Sequence, residues 1–222
     1  MPTPPNLQPT LQFLDELSRN NNKAWFELHR PEYEKVRGAF EALINDLIDE
    51  FRGEDNLQNL NARNCIARIY RDIRFSRDKS PYKTNLAAVI GPGGWKSDLF
   101  GYYLHLEPQD RSMAAGGVYD PSPEQLERFR QSIDKHYSRF REVASAPAFV
   151  DTFGGLQGER LKTAPKGYDK NHPEIELLQL KQITVIHRFT DQEVLSSDFE
   201  ARLAKAFRAM RPFLNYLSEI GL

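Results

Sequence analysis

Apolar residues recur at helical spacing through the first quarter of the chain. Leu11, Leu14 and Leu17 lie three positions apart, and the three asparagines that start at Asn20 can end this helix and cap the next one. Pro31 suits the first turn of a longer helix, because the proline lacks an N–H that would have no partner there. That helix carries a wide apolar stripe of Tyr33, Val36, Phe40, Leu43, Ile44, Leu47, Ile48 and Phe51. The stripe predicts a helix that covers a core.

Short runs rich in β-branched and aromatic residues follow, and they predict strands. The runs lie at 66–75, 87–90, 100–106, 112–119 and 182–189. A glycine-rich connection, GPGGWKS, joins the second run to the third, and it lacks the spacing that a phosphate-binding loop requires. We therefore expect an ordinary hairpin connection there.

Capping boxes mark the starts of the later helices. Ser122 with Gln125 opens a second long amphipathic helix, and Thr190 with Glu193 opens a short one. A closing helix follows, in which Pro212 is expected to produce a kink. Helices at both ends of the chain with strands between them predict an α+β fold, with a mainly antiparallel sheet covered by several helices.

The composition narrows the class of protein. The 222 residues are 40% hydrophobic and 27% charged, as in ordinary soluble globular proteins. We expect a single domain over 1–222, with 1–10 as a flexible start. No run resembles a membrane span or a secretory signal, and the lone Cys65 permits neither an intrachain disulfide nor a cysteine-based zinc site. These features predict a cytoplasmic protein.

A basic segment occupies 68–83, with the sequence RIYRDIRFSRDKSPYK. Its six Arg and Lys residues exceed its two Asp residues by four, whereas the whole chain has a net charge of −1. Guanidinium groups bind phosphate and carboxylate oxygens through paired, charge-assisted hydrogen bonds. The segment therefore predicts an anion-binding site.

If 66–75 is a strand, its two faces differ in character. One face holds Ile69, Arg71, Ile73 and Phe75, and the other holds Arg68, Tyr70, Asp72 and Arg74. Arg71 on the mostly apolar face needs either a carboxylate partner or a ligand. Pro81 then interrupts any regular ladder, so a basic loop is expected to follow the strand.

A possible acid–base pair lies in GYYLHLEP, where strand alternation places Tyr103, His105 and Glu107 on one face. A histidine and a glutamate two positions apart can share a cavity as metal ligands or as an acid and a base. A solvated face of the sheet explains the same pattern. The sequence places no third metal ligand beside them.

Several long strings resemble the bacterial and fungal family called domain of unknown function 2461. They are LQFLDELSRNNNKAWFELHRPEY, RIYRDIRFSRDKSPYKTN, GYYLHLEP with AGGVYDP, LKTAPKGYDKNHPEIELLQLK and AFRAMRPF. Tyr119 stands where the family pattern has tryptophan in the AGG-x-x-x-P segment. The resemblance implies a single-domain intracellular protein, and it implies no reaction, cofactor or catalytic residue.

Three interpretations of the basic segment are open at the level of sequence. In the first, an Arg/Lys-lined pocket holds a phosphorylated or carboxylated small molecule. In the second, the same loop binds nucleic-acid phosphates while Tyr70, Phe75 or Tyr82 stacks on bases. In the third, the arginines pair with carboxylates and hold no ligand. The candidate ligand-binding residues are Arg68, Tyr70, Arg71, Asp72, Arg74, Lys79, Tyr82 and Lys83.

No recognised catalytic motif occurs in the sequence, whether a nucleophile elbow, a metalloprotease helix or a dinucleotide fingerprint. His105, Glu107 and Asp72 are acid–base candidates only if they line the same cavity as the arginines. The pattern predicts no metal site, names no cofactor and gives no membrane partner. It also leaves the oligomeric state open.

Overall fold

The computed structural model describes residues 6–97 and 100–222. Within these residues the helices are α1 (Gln8–Arg19), α2 (Lys23–Leu28), α3 (Arg30–Phe51), α4 (Ala62–Cys65), α5 (Pro123–Ala144), α6 (Pro147–Phe153), α7 (Ile175–Leu178), α8 (Asp191–Val194) and α9 (Phe199–Glu219). The strands are β1 (Leu86–Ile90), β2 (Tyr102–Leu106), β3 (Ser112–Val118) and β4 (Ile183–Phe189). A 3₁₀ turn covers Gly94–Lys96.

The four strands form one sheet in the order β1-β2-β3-β4. β1 and β2 pair antiparallel, with Ala88 opposite Leu104 and Ala87 opposite His105. The α+β class with a mainly antiparallel sheet is therefore confirmed.

Contacts divide the chain into two compact units. Unit 1 comprises Met1–Ala114 and Arg188–Ala204, and unit 2 comprises Ala115–His187 and Lys205–Leu222. The boundary falls inside β3, β4 and α9, so each of these elements contributes residues to both units. The domain assignment over 1–222 stays a prediction.

In unit 1 the core forms on the stripe that the sequence predicted. All eight apolar residues of that stripe are buried in α3, which packs against α1, α2 and β1. Leu104 and Leu106 of β2 are fully buried. Because side chains alternate along a strand, Tyr103 and His105 lie on the opposite face of β2, and Glu107 follows directly after the strand.

In unit 2 the predicted capping box at Ser122 is present, with both of its reciprocal hydrogen bonds, and it opens α5. A hydrogen bond of 2.8 Å joins the buried hydroxyls of Ser132 and Tyr216, on α5 and α9. His136 interrupts α5 with non-helical backbone angles, φ −136° and ψ 36°. Pro212 lies inside α9, which continues through it to Glu219.

The strand predicted at 66–75 is wrong. Only two isolated bridges occur there, Ile66 with Ala88 and Tyr70 with Tyr82. Pro81 lacks the N–H that a ladder of hydrogen bonds would need. Beyond Arg71 the chain no longer pairs with the segment around Tyr82 and forms a loop. The predicted faces fail as a result, since Ile69 is 3% exposed whereas Phe75 is 96% exposed.

Residues 8–10 of the predicted flexible start belong to a helix. α1 begins at Gln8, and Leu7 and Thr10 are buried. Residues 1–5 of the predicted flexible start lie outside the described residues. In the part of the chain that the structure describes, no helix combines the length and apolar character needed to cross a membrane.

Candidate functional site

The basic segment borders a pocket of about 320 Å³ in unit 1, which we call the Lys83 pocket. Its walls are Ser18, Asn21, Arg71, Asp78, Ser80, Tyr82, Lys83, Thr84 and Asn85. The end of α1 and the asparagine turn after it form one side. The rest comes from the end of the basic loop and from the extended segments on either side of it.

Backbone hydrogen bonds hold the two extended segments together. Lys83 N–H donates to the Ile69 carbonyl at 2.8 Å, and Arg71 N–H donates to the Pro81 carbonyl at 2.9 Å. These bonds pair the two segments with each other, and residues 72–80 between them form the basic loop. Arg71 and Lys83 consequently line the same pocket.

Asn21 ties the pocket to the turn between α1 and α2. Its side-chain amide donates to the Tyr82 carbonyl at 2.9 Å, and its oxygen accepts from Tyr82 N–H at 3.1 Å. The Tyr82 ring stacks on Phe26 with 4.0 Å between centroids. Burial raises the pKa of the Tyr82 phenol, and the neighbouring Tyr70 adds to the shift. These contacts hold Tyr82 in place as a lining residue of the pocket.

Arg71 pairs with the Asp78 carboxylate and also donates to the Ser80 carbonyl at 3.1 Å. Ser80 in turn donates to Asp78 through its hydroxyl at 2.6 Å and its backbone N–H at 2.9 Å. These hydrogen bonds lower the pKa of Asp78 to about 2, with the Ser80 hydroxyl first and the Ser80 N–H and Arg71 after it. The arginine that the sequence singled out therefore has the carboxylate partner that one interpretation required.

The other candidate cations do not converge on the pocket. Arg74 pairs with Asp72 at 2.6 Å, and Lys79 donates to the Ile73 carbonyl at 2.9 Å. Arg68 is exposed. Of the eight candidate residues, the pocket lining includes Arg71, Tyr82 and Lys83 but not Arg68, Tyr70, Asp72, Arg74 or Lys79.

Lys83 is partly buried, and its ammonium lies 5.5 Å from the centroid of the Trp95 ring, in cation–π geometry. Burial lowers the pKa of Lys83, and the positive charge of Arg68 lowers it further. Among residues 6–97 and 100–222, no carboxylate forms an ion pair with Lys83. Asn85, also on the wall, has no hydrogen-bond partner for its side-chain amide among the same residues.

A buried hydrogen-bonded chain lies next to the pocket. His105 Nε2 is 2.9 Å from Glu107, and the Tyr103 hydroxyl is 3.0 Å from His105 Nδ1. The Thr84 hydroxyl, on the pocket wall, donates to Glu107 at 3.1 Å, and Arg111 pairs with Glu107 at 3.2 Å. A carboxylate oxygen accepts hydrogen bonds, which fits a His105 tautomer that donates through Nε2.

The solvated-face interpretation of this strand is therefore wrong, since His105 is only 8% exposed. Burial raises the pKa of Tyr103, and the charge of Glu107 adds to the shift. Within the described ranges, no group of three or more His, Cys, Asp or Glu side chains is arranged to hold a metal ion. His105 and Glu107 bond to each other instead of facing an open cavity with Asp72.

Asp78 and five neutral residues also line the pocket and were not among the eight candidates; the five are Ser18, Asn21, Ser80, Thr84 and Asn85. Neutral hydroxyls and amides carry no strong local signal. The position of Asn21 depends on a contact that spans 61 residues of sequence. Only the three adjacent asparagines pointed to this turn, and they pointed to helix capping, which Asn22 performs for α2.

A second pocket, of about 360 Å³, lies in unit 2 and is lined partly by Arg139, Arg208, Arg211 and Glu219. Arg139 already binds Glu219 at 2.8 Å and Glu142 at 3.2 Å. This pocket therefore contains an arginine whose charge is neutralised by neighbouring carboxylates. The Lys83 pocket contains a cation with no such neighbour among the described residues.

The Asp78 carboxylate makes the stability of the basic loop depend on pH at the acid end. Its pKa in the folded chain, about 2, is below the ordinary value of about 3.9. The hydrogen bonds therefore stabilise the fold above about pH 4, and this contribution is lost as the pH falls through about 2. We expect Asp78→Asn to lower Tm near neutral pH, with a penalty that shrinks between about pH 5 and about pH 3.

Thermal melts of wild type and Asp78→Asn across this pH range measure that penalty. Asp151→Asn, an exposed substitution in α6, serves as the control and is expected to show little effect at any pH. A penalty for Asp78→Asn that stays constant across the range would contradict the assignment.

The comparisons with known proteins yield one match. A family model described as "Conserved hypothetical protein (DUF2461)" matches residues 9–216 of the 222-residue chain. No curated protein and no solved structure matches the chain.

Proposed function

This chain belongs to the DUF2461 family of conserved hypothetical proteins, and we propose that its Lys83 pocket binds a small molecule that carries a phosphate or a carboxylate group. The single observation that carries the proposal is Lys83, a partly buried lining residue of the pocket whose ammonium has no carboxylate partner among the described residues. A buried charge without a partner is costly. A bound anion would remove that cost.

The charge and hydrogen-bonding groups of the wall support an anionic ligand. Lys83 and Arg71 are both cationic, and Asp78 is the one carboxylate among the lining residues that the structure describes. Asn85 offers an unengaged amide donor beside Lys83. A pocket of about 320 Å³ suits a small metabolite, since ligand pockets start at about 300 Å³.

Arg71 has a different part in this proposal from the one that its position in the sequence suggested. Its guanidinium is held by Asp78 and the Ser80 carbonyl, so its part is to order the loop beside the pocket. The pairs Arg71–Asp78 and Arg74–Asp72 favour the structural interpretation for these two arginines. The structural interpretation does not account for Lys83, which has no carboxylate partner among the described residues.

Thermal shift experiments test the proposal. Inorganic phosphate, malonate and 2-phosphoglycolate are the probes, and a ligand at about 100 times its Kd is expected to stabilise the fold by about 2.7 kcal/mol. For a chain of this size that corresponds to a rise in Tm of roughly 5–10 °C. Lys83→Met is expected to weaken binding about 10- to 100-fold, because it removes a hydrogen bond to a charged group.

Arg77→Met is the matched control. It removes one positive charge from the same loop, and Arg77 is exposed and outside the pocket lining. An equal loss of binding in the two variants would mean that only the general charge of the loop matters, and would contradict the pocket. Flat melting curves with all three probes would do the same. Tight binding of a single-stranded oligonucleotide instead, with affinity falling linearly in log salt, would favour the nucleic-acid interpretation.

A further inference from the structure

We infer that Lys83 forms a reversible imine with a small aldehyde or ketone that carries a carboxylate or a phosphate. The inference rests on the proposed function, because it takes the anionic group to hold the ligand in the Lys83 pocket. It goes beyond that function by assigning a covalent step to one atom, the Lys83 Nζ. It also narrows the ligand class to oxo compounds.

The surroundings of Lys83 fit a nucleophilic amine. Its Nζ is held over the Trp95 ring at 5.5 Å, while Trp95 lies against Tyr103 with 6.4 Å between ring centroids. The Trp95 ring orders the lysine side chain and by itself favours the ammonium. The lowered pKa of Lys83 comes from burial and from Arg68. Lys83 is a lining residue of the pocket, and its nitrogen has no ion pair with a carboxylate among the described residues.

The protonation state of Lys83 is shifted in the required direction. Only the neutral amine attacks a carbonyl, and burial together with Arg68 lowers the pKa of Lys83. Desolvation and a neighbouring cation are the two means by which proteins activate lysine for imine chemistry. Arg68 is exposed and does not line the pocket, so its effect on Lys83 is electrostatic.

The proposed step balances without an oxidant, a reductant or a second substrate. The neutral Lys83 amine forms a bond from nitrogen to the carbonyl carbon, giving a carbinolamine. The two hydrogens of the amine leave with the carbonyl oxygen as water, and a carbon–nitrogen double bond remains. Hydrolysis reverses the step, and a hydride reagent added by the experimenter makes it permanent.

Other lysines are placed differently, and they provide internal controls. Lys79 donates to the Ile73 carbonyl at 2.9 Å and is exposed. Lys181 pairs with Glu159 at 3.0 Å. Lys96 is exposed at the end of the 3₁₀ turn. Each lies outside the lining of the Lys83 pocket.

The test is reductive trapping on the full chain. The protein is incubated with sodium cyanoborohydride and either pyruvate, dihydroxyacetone phosphate or acetone, and the adducts are located by peptide mass spectrometry. We expect Lys83 to be labelled by pyruvate or dihydroxyacetone phosphate at least about tenfold faster than Lys79 or Lys96, because binding raises the local concentration of the carbonyl. Acetone lacks the anionic group, so it is expected to show no such preference. Lys83→Arg should lose the preferred adduct, and Lys96→Arg should keep it.

Thermal shifts with the same three compounds separate this inference from the proposed function. A rise in Tm with pyruvate or dihydroxyacetone phosphate but no preferred adduct at Lys83 would overturn the imine and leave anion binding standing. No rise and no preferred adduct would overturn both. Equal preference for Lys83 with acetone would overturn the inference as well, since recognition of the anionic group would then play no part.

Discussion

Phe26→Ala is expected to lower the free energy of unfolding by about 3–5 kcal/mol, because it empties a fully buried aromatic position. The Phe26 side chain is 0% exposed. It stacks on Tyr82 at 4.0 Å and lies 5.1 Å from Tyr33 and 6.3 Å from Tyr70, measured between ring centroids. The loss therefore combines the transfer energy of the ring with the cavity left among three other rings.

This substitution is also expected to loosen the Lys83 pocket. Tyr82 is a pocket wall, and its ring rests on Phe26. Tyr82 and Tyr70 form the isolated bridge that brings the two extended segments together. The affinity of the variant for the ligand should therefore be lower than that of wild type, when both are measured at a temperature at which they remain folded.

Phe75→Ala is the matched control, since it removes the same side chain from a position that is 96% exposed. Its effect on stability should be within about 0.5 kcal/mol of zero. Urea denaturation of the three proteins, followed by circular dichroism, measures both values. Comparable losses in the two variants would contradict the burial assigned to Phe26 or the exposure assigned to Phe75.

Gly117→Ala is the second substitution with a large expected effect, a loss of at least about 3 kcal/mol. Gly117 lies in β3 with φ +107°, a backbone conformation that residues other than glycine rarely adopt. A methyl group there would come within 2.0 Å of the Ile183 carbonyl oxygen in β4 and 3.2 Å of the Phe213 ring. The backbone of unit 2 would have to move to admit it.

Gly38→Ala supplies the contrast for this second prediction. Gly38 is in α3, and a methyl group there would meet nothing within 4 Å. Because glycine weakens a helix interior, the substitution is expected to stabilise the fold by about 0.5–1 kcal/mol. Destabilisation by Gly38→Ala, or a near-neutral Gly117→Ala, would show that the local environments differ from those described.

The helices were predictable because their signals are local. The apolar stripe of α3 repeats every three or four residues, and burial of that face follows from helical geometry whatever it packs against. The capping boxes at Ser122 and Thr190 are likewise local, since both partners lie within three residues. Strand identity was less secure, because residue preference alone suggested a strand at 66–75, where only isolated bridges form.

The candidate site was predicted only in part. Local charge excess pointed to the correct segment, but charge density does not tell which cations pair with neighbouring carboxylates. Arg74 and Asp72 are two positions apart and bind each other, while Lys83 lacks a carboxylate partner among the described residues. The difference depends on where the loop turns, which no residue in the loop specifies alone.

By itself, the sequence determined the helical stripes, the caps, the α+β class and the stretch in which cations concentrate, since each depends on residues close together in the chain. Only the tertiary structure decided that Lys83 and Arg71 share a pocket wall with Asn21, and that His105 and Glu107 are bonded to each other. The Asn21 contact joins residues 61 positions apart. Burial and electrostatic partners are properties of such contacts, so side chains of the same type acquire different chemistry according to what the fold places beside them.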